Sequence, residues 1–534
     1  MRLDELTSGL DVGAAQLVAG ARATEIEGLA YDSRKVASGD LFFCVRGYRS
    51  DGHDFAAKAV QSGASALVVE RPLGLGVPEL LVESARSAMA PIAARFYGDP
   101  TSELAVIGVT GTNGKTTTAY LARALLEAAG SQCGLLGTIK SVVGGRERNV
   151  ERTTPEAIDL QADFRAMLDG GDRACAMEVS SHALELGRTE QIRFAAAIFT
   201  NISRDHLDFH ATMEDYFQAK RRLFLPGSEH QRAVADDRAV ADDPEGDTPW
   251  RPPSLSIVNV GDGYGRRLAA EIDGVRTFAV GEPADYSASE LQCGFDGCRF
   301  TLRTREAERE VALPMPGRFN VANALAALAA VHELTGVDLD VLVAALERGV
   351  RVPGRFEPVD EGQDFAVLVD YAHTPDSLEN VLSAARELVG SRGNGGARVI
   401  CVFGAGGDRD AGKRPLMGAI AARLADVVLV TSDNPRSEDP TAIIAEIMVG
   451  VERRQRDARV CAVRSIVDRA EAIAEAVTLA ARGDVLVIAG KGHEQGQEFA
   501  GARKVPFDDV TVAREALRAR QEALVSPRPA GARG

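Results

Sequence analysis

Between residues 111 and 117 the chain reads Gly-Thr-Asn-Gly-Lys-Thr-Thr, directly after the apolar run Leu104 to Val109 and at the start of an amphipathic helical pattern. A glycine-rich turn that opens a helix aims several backbone N–H groups at one point. The helix dipole adds positive potential there, so the chemistry such a segment suits is phosphate binding. Gly111, Thr112, Asn113, Gly114 and Thr117 would form the cradle, Lys115 would neutralise the β- and γ-phosphates, and the Thr116 hydroxyl would face Mg²⁺. The strict spacing G-x-x-x-x-G-K-[ST] is not met, because its first glycine would fall at Val109. The order of strand, turn and helix carries the assignment instead.

Four further polar stretches follow apolar runs: Asp370 to His373, Gly404 to Arg409, Asp433 to Arg436 and Gly490 to Glu494. Ligands of open α/β sheets bind beyond the carboxyl ends of the strands, so these stretches are expected to converge on one rim. The bland alternative is that loops are simply polar, which serves for one stretch better than for four.

The elements behind these residues divide the chain into three. In residues 1–101, "DLFFCV" and "ALVVE" read as strands with the helix "DFAAKAVQSGA" between them. Residues 102–352 hold the phosphate loop, further strands at "ACAMEVSSHAL" and "AAAIFTNISRDHLDFH", and a buried helix at "GRFNVANALAALAAVHEL". Residues 353–520 alternate strand and helix from "FAVLVDYAH" to "DVLVIAGKGHE", the pattern of a parallel sheet. Residues 521–534, Pro/Gly-rich at their end, read as a disordered tail. A polar stretch over 228–253 contains "RAVADD" twice, too few copies for a repeat architecture, and reads as a strand end and surface loop.

Composition excludes several classes. Hydrophobic residues are 45% and charged residues 26% of 534, a globular make-up of roughly three or four domains. The net charge of -16 and the lack of a basic run argue against a nucleic-acid surface. No run approaches the ~18 apolar residues of a membrane span and no signal peptide is visible, so a soluble, cytoplasmic protein is the expectation, and a monomer. The seven cysteines include no Cys-x-x-Cys pair, and all, Cys293 and Cys298 included, read as ordinary thiols.

The variant "TGTNGKTT" resembles the Mur ligase family, which includes folylpolyglutamate synthetases. The resemblance continues in order from Asp32 to Glu494 through "DSR", "TTP", "MEVSSHAL", "TNISRDHLDFH", "YFQAKRRLF", "GRFNVANALAA", "PGRFE", "DYAHTPDSLE", "GAGGDRDAGKRP", "SDNPR" and "GKGHE". It implies three α/β domains: an N-terminal one for a UDP-linked substrate, a central P-loop ATPase-like one and a C-terminal Rossmann-like one for an amino acid. It also implies ATP-dependent amide formation through an acyl phosphate in peptidoglycan synthesis. By resemblance, Glu178, His206 and Thr116 are Mg²⁺ ligands, and Lys220 is carbamylated by CO₂ so that its charge reverses. Read without it, Glu178 is a capped or salt-bridged carboxylate, His206 a loop histidine and Lys220 part of a solvated basic helix face. Resemblance points to Asn320, Asn323, Arg355, Asp370 and His373 for the nucleotide, with helix capping the alternative for the two asparagines. For the UDP-linked dipeptide it points to Ser33, Tyr48, Arg49, Ser50, Thr153, Thr154, Ser180 and Arg188. Some relatives carry Gln two residues before the Arg188 position; here it is Leu186, which removes that contact.

The added amino acid is expected to meet Arg409, Asp433, Asn434, Pro435, Arg436, Gly490 and Glu494. Resemblance makes "DNPR" the mark of members that use meso-diaminopimelate. Arg436 offers a planar fork for that molecule's second carboxylate, and Glu494 an anion for its distal ammonium. Lysine would leave Arg436 unpaired, at roughly 1–3 kcal/mol. A P-loop switch is disfavoured by the lack of an Asn-Lys-x-Asp motif, and a folylpolyglutamate synthetase has no need of "DNPR" or "GKGHE".

Overall fold

Apolar runs bounded by glycine and polar turns build three sheets with parallel centres and antiparallel edge strands. The computed structural model describes residues 1–8, 16–18, 23–47, 50–225, 252–391, 396–454 and 462–525. The tandem "RAVADD" segment, Tyr48, Arg49 and the last nine residues lie outside them. The helix Asp509–Val525 runs past the expected boundary at 520, because its apolar face, Val510, Ala513 and Leu517, packs on the C-terminal sheet.

The first sheet has five strands, of which Gly28–Ala30, Asp40–Phe43, Ala66–Val69 and Glu79–Leu81 pair in parallel and Gln16–Val18 closes an edge antiparallel. The central sheet has eleven strands. At its middle, Ala105–Thr110 lies between Ala174–Glu178 and Phe194–Phe199, all parallel. The residues that follow these three strands, Gly111 onward, Glu178 with Val179, and Thr200 onward, therefore emerge side by side. The helix Arg318–Thr335 packs its alanines and leucines into the same core as Leu121, Leu125 and Leu126 of the helix Lys115–Ala128. The periodicity that marks this segment as buried thus serves to hold the helix that the phosphate loop opens.

In the C-terminal sheet the strands Ala366–Asp370, Val485–Ala489, Val399–Phe403 and Val427–Val430 are neighbours and parallel in that order. Helices Pro375–Ser391, Lys413–Leu424 and Pro440–Arg454 cover one face, and Arg469–Leu479 and Asp509–Val525 the other. Both faces are dry, which is why the strands are continuous apolar runs. All four polar stretches singled out above leave the same edge.

One expectation fails in the central domain. Cys293 and Cys298 face each other across the antiparallel pair Tyr286–Gly294 and Gly297–Arg303 and are joined as a disulfide. Their spacing of five is that of a short hairpin, which puts the two side chains directly opposite. Cys44, Cys133, Cys175 and Cys401 are free and buried. No described helix is long and apolar enough to cross a membrane.

Arg469 and Asp509 tie the two helices of one C-terminal face together. Both side chains are 0% exposed and bond at 2.8 and 2.7 Å, and Arg469 also donates to the Ala489 carbonyl at 3.0 Å. Asp509→Ala strands a buried guanidinium and is expected to cost about 3–5 kcal/mol in urea unfolding; a loss under about 1 kcal/mol contradicts this assignment.

Candidate active site

The phosphate loop is built on two left-handed glycines, Gly111 at φ 148° and Gly114 at φ 87°. A Cβ on Gly111 would stand 1.9 Å from Thr200 Oγ1, and one on Gly114 2.4 Å from Asn323 Oδ1, so both positions need glycine for space as well as for φ. Lys115 Nζ folds back and donates to the carbonyls of Gly111 (2.9 Å) and Thr112 (2.8 Å). Lys220 Nζ, from the helix Met213–Arg221, donates to the same Gly111 carbonyl at 2.8 Å and lies 4.7 Å from the Tyr216 ring centre. Lys220 is only 1% exposed, which overturns its reading as a solvated helix face. Burial, then the neighbouring Lys115, pushes its ammonium well below the ordinary lysine range; burial also lowers Lys115.

Thr116 Oγ1 donates to Glu178 Oε2 at 2.9 Å and accepts from Arg355 Nη2 at 3.1 Å. Glu178 also takes the Thr138 N–H (2.7 Å) and hydroxyl (3.1 Å). Among the described residues it is neither a helix cap nor half of an ion pair: Thr116 and Thr138, on two segments, hold its side chain at the end of its strand. Arg355 lies over the Tyr371 ring at 4.4 Å, and its Nη1 is buried with no hydrogen-bond partner among the described residues. An unused guanidinium N–H beside the phosphate loop is a donor in want of an anion.

His206 sits in the loop beyond Phe194–Phe199 at φ 56°. Its Nε2 is 3.5 Å from Asp205 Oδ2, and His373 Nε2, from the C-terminal domain, is 3.8 Å from the same oxygen. Burial pushes His206 down to about 3 and lowers His373 as well, so both imidazoles are neutral near pH 7. Burial works to raise the Asp205 carboxyl, but His206 and His373 when protonated, with Lys413 and the His206 N–H, outweigh it and hold it low. Two more contacts cross this cleft: Asn113 Nδ2 donates to Asp376 at 2.6 Å, and Arg204 pairs with Asp410 at 3.1 Å.

Asn320 and Asn323 are buried, and neither caps the helix. Asn320 Nδ2 donates to the Pro316 carbonyl at 2.7 Å, and Asn323 donates to Asn320 at 3.3 Å while its Oδ1 faces Gly114 and Thr118. Asn320 and Arg355 line an interdomain cavity of about 1010 Å³, with Pro314, Met315 and Phe356 among its walls. Asp370 accepts the Phe356 N–H at 2.6 Å, and burial, opposed by Arg355, pushes its carboxyl up to about 6.

The expected substrate positions separate. Thr138 Oγ1 bonds Thr153 Oγ1 at 3.1 Å; Thr154 Oγ1 donates to the Glu178 carbonyl at 2.9 Å and accepts the Ser180 N–H at 3.1 Å. Ser180 caps the helix Ser181–Glu185, and Arg188 reaches the Thr154 carbonyl (3.2 Å) and Glu156 (2.9 Å). These four thus adjoin Glu178. Ser33, in a turn, and the exposed Ser50 belong to the N-terminal domain and touch none of them in any described hydrogen bond.

On the C-terminal rim, Asn434 Nδ2 donates to Glu494 Oε2 at 2.8 Å, and Asn434 Oδ1 accepts the Glu498 N–H at 3.0 Å. Lys491, 0% exposed, reaches Asp433 (3.4 Å), Asn434 (2.9 Å) and Glu494 (2.9 Å). A Cβ on Gly490 would stand 3.2 Å from Asp433 Oδ2. Pro435 turns the chain toward Arg436, which is left-handed at φ 51° and held by an N–H bond to the Glu498 carbonyl at 3.0 Å. Arg409 is exposed. The expectation that lysine would leave Arg436 unpaired is corrected: its Nε pairs with Glu498 at 3.0 Å and its Nη1 with the Gly407 carbonyl at 2.8 Å. Lysine in this site would therefore not strand it.

Sequence reasoning missed Thr138, Asp205, Lys491 and Glu498. Lys491 had a signal, a cation one glycine beyond the apolar run Val485–Ala489. The others depend on which loops meet, which spacing does not carry.

Asp370 gives a signed pH test. Its folded pKa lies above the ordinary 3.8, so between about 4 and 6 the folded chain binds more protons than the unfolded one. Wild type is expected to gain stability relative to Asp370→Asn as pH falls from 7 to 4 in urea titrations; a relative loss contradicts the burial reading.

Comparison with known proteins adds to this geometry. A model described as the Mur ligase family, catalytic domain matches residues 25–97; the Mur ligase middle domain matches 109–247 and 249–331; the Mur ligase, glutamate ligase domain matches 354–492. The UDP-N-acetylmuramoyl-L-alanyl-D-glutamate--2,6-diaminopimelate ligase of Syntrophomonas wolfei is 44% identical over 523 residues, 97% of this chain and 99% of that protein. The protein of the same name from Streptomyces coelicolor is 44% identical over 508 residues, 93% and 94% of the two chains. A solved structure of a ligase of that name aligns at 31% identity with a TM-score of 0.63, over 98% of this chain and 99% of that one. The MurF ligase from Thermotoga maritima, solved in complex with ADP, shares the fold at 18% identity and a TM-score of 0.63, over 94% and 99%. The chain belongs to the Mur ligase family.

Proposed function

We propose that this chain is a cytoplasmic ATP-dependent ligase that joins meso-2,6-diaminopimelate to UDP-N-acetylmuramoyl-L-alanyl-D-glutamate in peptidoglycan synthesis. The observation that carries the reading is the meeting at the phosphate loop of Lys115, the buried Lys220 and Arg355, whose Nη1 has no hydrogen-bond partner among the described residues, in a chain whose C-terminal rim bears Asp433 to Arg436. A terminal carboxylate oxygen of the substrate attacks the γ-phosphorus of ATP, the bond to the bridging oxygen breaks and ADP leaves. An amine of diaminopimelate then attacks the acyl carbon, phosphate departs, and the amine loses a proton as the amide forms. No covalent nucleophile is required; the chain must neutralise charge, align the reactants and exclude water.

Lys115 and Arg355 would swing from the Gly111, Thr112 and Thr116 oxygens to the phosphates. Asn320, Asn323, Asp370 and His373 would meet the nucleoside, and Thr153, Thr154, Ser180 and Arg188 the dipeptide end. Thr116, Glu178, His206 and a carbamylated Lys220 would hold Mg²⁺, which supplies charge neutralisation at the transferring phosphoryl group. The donor set fits: a hydroxyl and carboxylate in contact, a neutral imidazole, and a buried lysine whose ammonium is disfavoured. Its free amine can add CO₂ with loss of one proton, giving oxygens that a hard cation prefers.

Phosphate release from ATP with the UDP-linked dipeptide is expected with meso-diaminopimelate, with the tripeptide product confirmed by mass, and at least tenfold less with L-lysine. Release with neither amino acid sinks the reading. Lys220→Ala is expected to lower kcat by about 10³-fold or more, and ¹³C-bicarbonate to give a carbamate resonance in the wild type that the variant lacks; a fully active Lys220→Ala contradicts the role.

A further inference from the structure

Among the described residues, two side chains of the C-terminal domain hydrogen-bond to the phosphate loop: Arg355 to Thr116 at 3.1 Å, and Asp376 to Asn113 at 2.6 Å. Asn113 is pinned on its own side as well. Its N–H donates to Asn201 Oδ1 at 3.0 Å, and its carbonyl accepts from Thr200 Oγ1 at 2.7 Å and from Asn201 Nδ2 at 3.1 Å. Its side-chain amide is what crosses the cleft. A carboxylate only accepts, so Asp376 dictates which end of that amide faces it: Nδ2 toward Asp376, Oδ1 away. Ser203 closes the group, lying 3.5 Å from Asn113 Nδ2 and bonding the Asp376 carboxyl through its hydroxyl. The Ser203 N–H donates to Thr112 Oγ1 at 3.0 Å, and Thr112 Oγ1 donates to the Ser203 carbonyl at 3.2 Å. One carboxylate of the C-terminal domain thus gathers two loops of the central one.

We infer that Asp376 is a positioning residue of the phosphate loop, acting through Asn113, so that nucleotide affinity depends on a side chain of the C-terminal domain. The inference rests on the reading of that loop as the site of the ATP phosphates and deepens it. Gly111 and Gly114 have no side chains by which the turn could be held. Thr112 and Asn113, between them, supply the grips. Thr112 is gripped from within the central domain by Ser203 and by the Tyr216 hydroxyl at 3.1 Å, and Asn113 from across the cleft by Asp376. A loop whose N–H groups must converge on one anion binds it more tightly when its conformational freedom is already removed.

The C-terminal framework holds Asp376 still. It lies in the first turn of the helix Pro375–Ser391, whose start is fixed by a reciprocal pair: the Thr374 N–H donates to Ser377 Oγ at 3.0 Å and the Ser377 N–H to Thr374 Oγ1 at 3.2 Å. Leu378, two residues on, is buried in the C-terminal core. The same turn presents Asp370 to the Phe356 N–H and His373 toward Asp205, so Asp376 extends a series of contacts already directed at the central domain. The other ion pair across the cleft, Arg204 with Asp410, leaves Arg204 44% exposed and is the weaker tie for it.

The test uses the full chain, with Mg·ADP binding followed by calorimetry and the KM values for ATP and meso-diaminopimelate taken from phosphate release. Asp376→Leu removes the acceptor, and is expected to raise the Kd for Mg·ADP and the KM for ATP about tenfold, the worth of a hydrogen bond to a charged group, with the KM for diaminopimelate moving less than about twofold. Asp376→Ala carries the same expectation and serves if the leucine variant does not fold. Asp376→Asn, which keeps an acceptor oxygen, should stay within about threefold of wild type. In an Asn113→Ala background, Asp376→Leu should change the KM for ATP by less than about twofold, because the group it acts through is gone. Equal rises in both KM values, or a full effect without Asn113, would make Asp376 a support of its own helix and overturn the inference, as would wild-type nucleotide affinity in both Asp376→Leu and Asp376→Ala. A wild type that binds no Mg·ADP would end the ATP reading of the loop and this inference with it.

Discussion

Lys115 and Lys220 donate to one carbonyl, that of Gly111, from two different helices. Two cations at one oxygen repel each other, and the surroundings give them little water. The arrangement lasts only where something anionic comes to Lys115 or where Lys220 gives up its positive charge. Both are properties of a phosphoryl-transfer site. Much of the central domain serves to hold this meeting point: the three adjacent parallel strands, the left-handed glycines, and the helix Arg318–Thr335 whose Asn323 fills the space a side chain on Gly114 would need.

The second half of the site is brought by the C-terminal sheet, and the hinge joins them. Arg355 touches Thr116 on one side and stacks on Tyr371 on the other, so one guanidinium reads both domains. Asp205 does the same between His206 and His373. Beside these polar contacts, Phe295 and Phe319 of the central domain pack against the C-terminal core, and Phe319 meets the Phe356 ring at 5.7 Å.

Legibility in the sequence followed the range of the interactions. The phosphate loop was legible because a strand, a turn and a helix are contiguous in the chain. The C-terminal rim was legible because strand ends in a parallel sheet share an edge whatever their order. That lysine would leave Arg436 unpaired was wrong because a partner in the chain, Glu498, lies 62 residues away on a separate hairpin. Lys220 reads as a surface residue beside two arginines until the fold turns it inward against Tyr216. The Cys293–Cys298 bond needed the hairpin register, which a spacing of five permits but does not dictate.

The central claim is that the substrate carboxylate passes through an acyl phosphate at the loop of Lys115. The most direct measurement is to label both oxygens of that carboxylate with ¹⁸O, run one turnover with ATP and diaminopimelate, and weigh the released phosphate. The account predicts one ¹⁸O in each phosphate and one left in the new amide. Phosphate without label, alongside tripeptide formation, would contradict it.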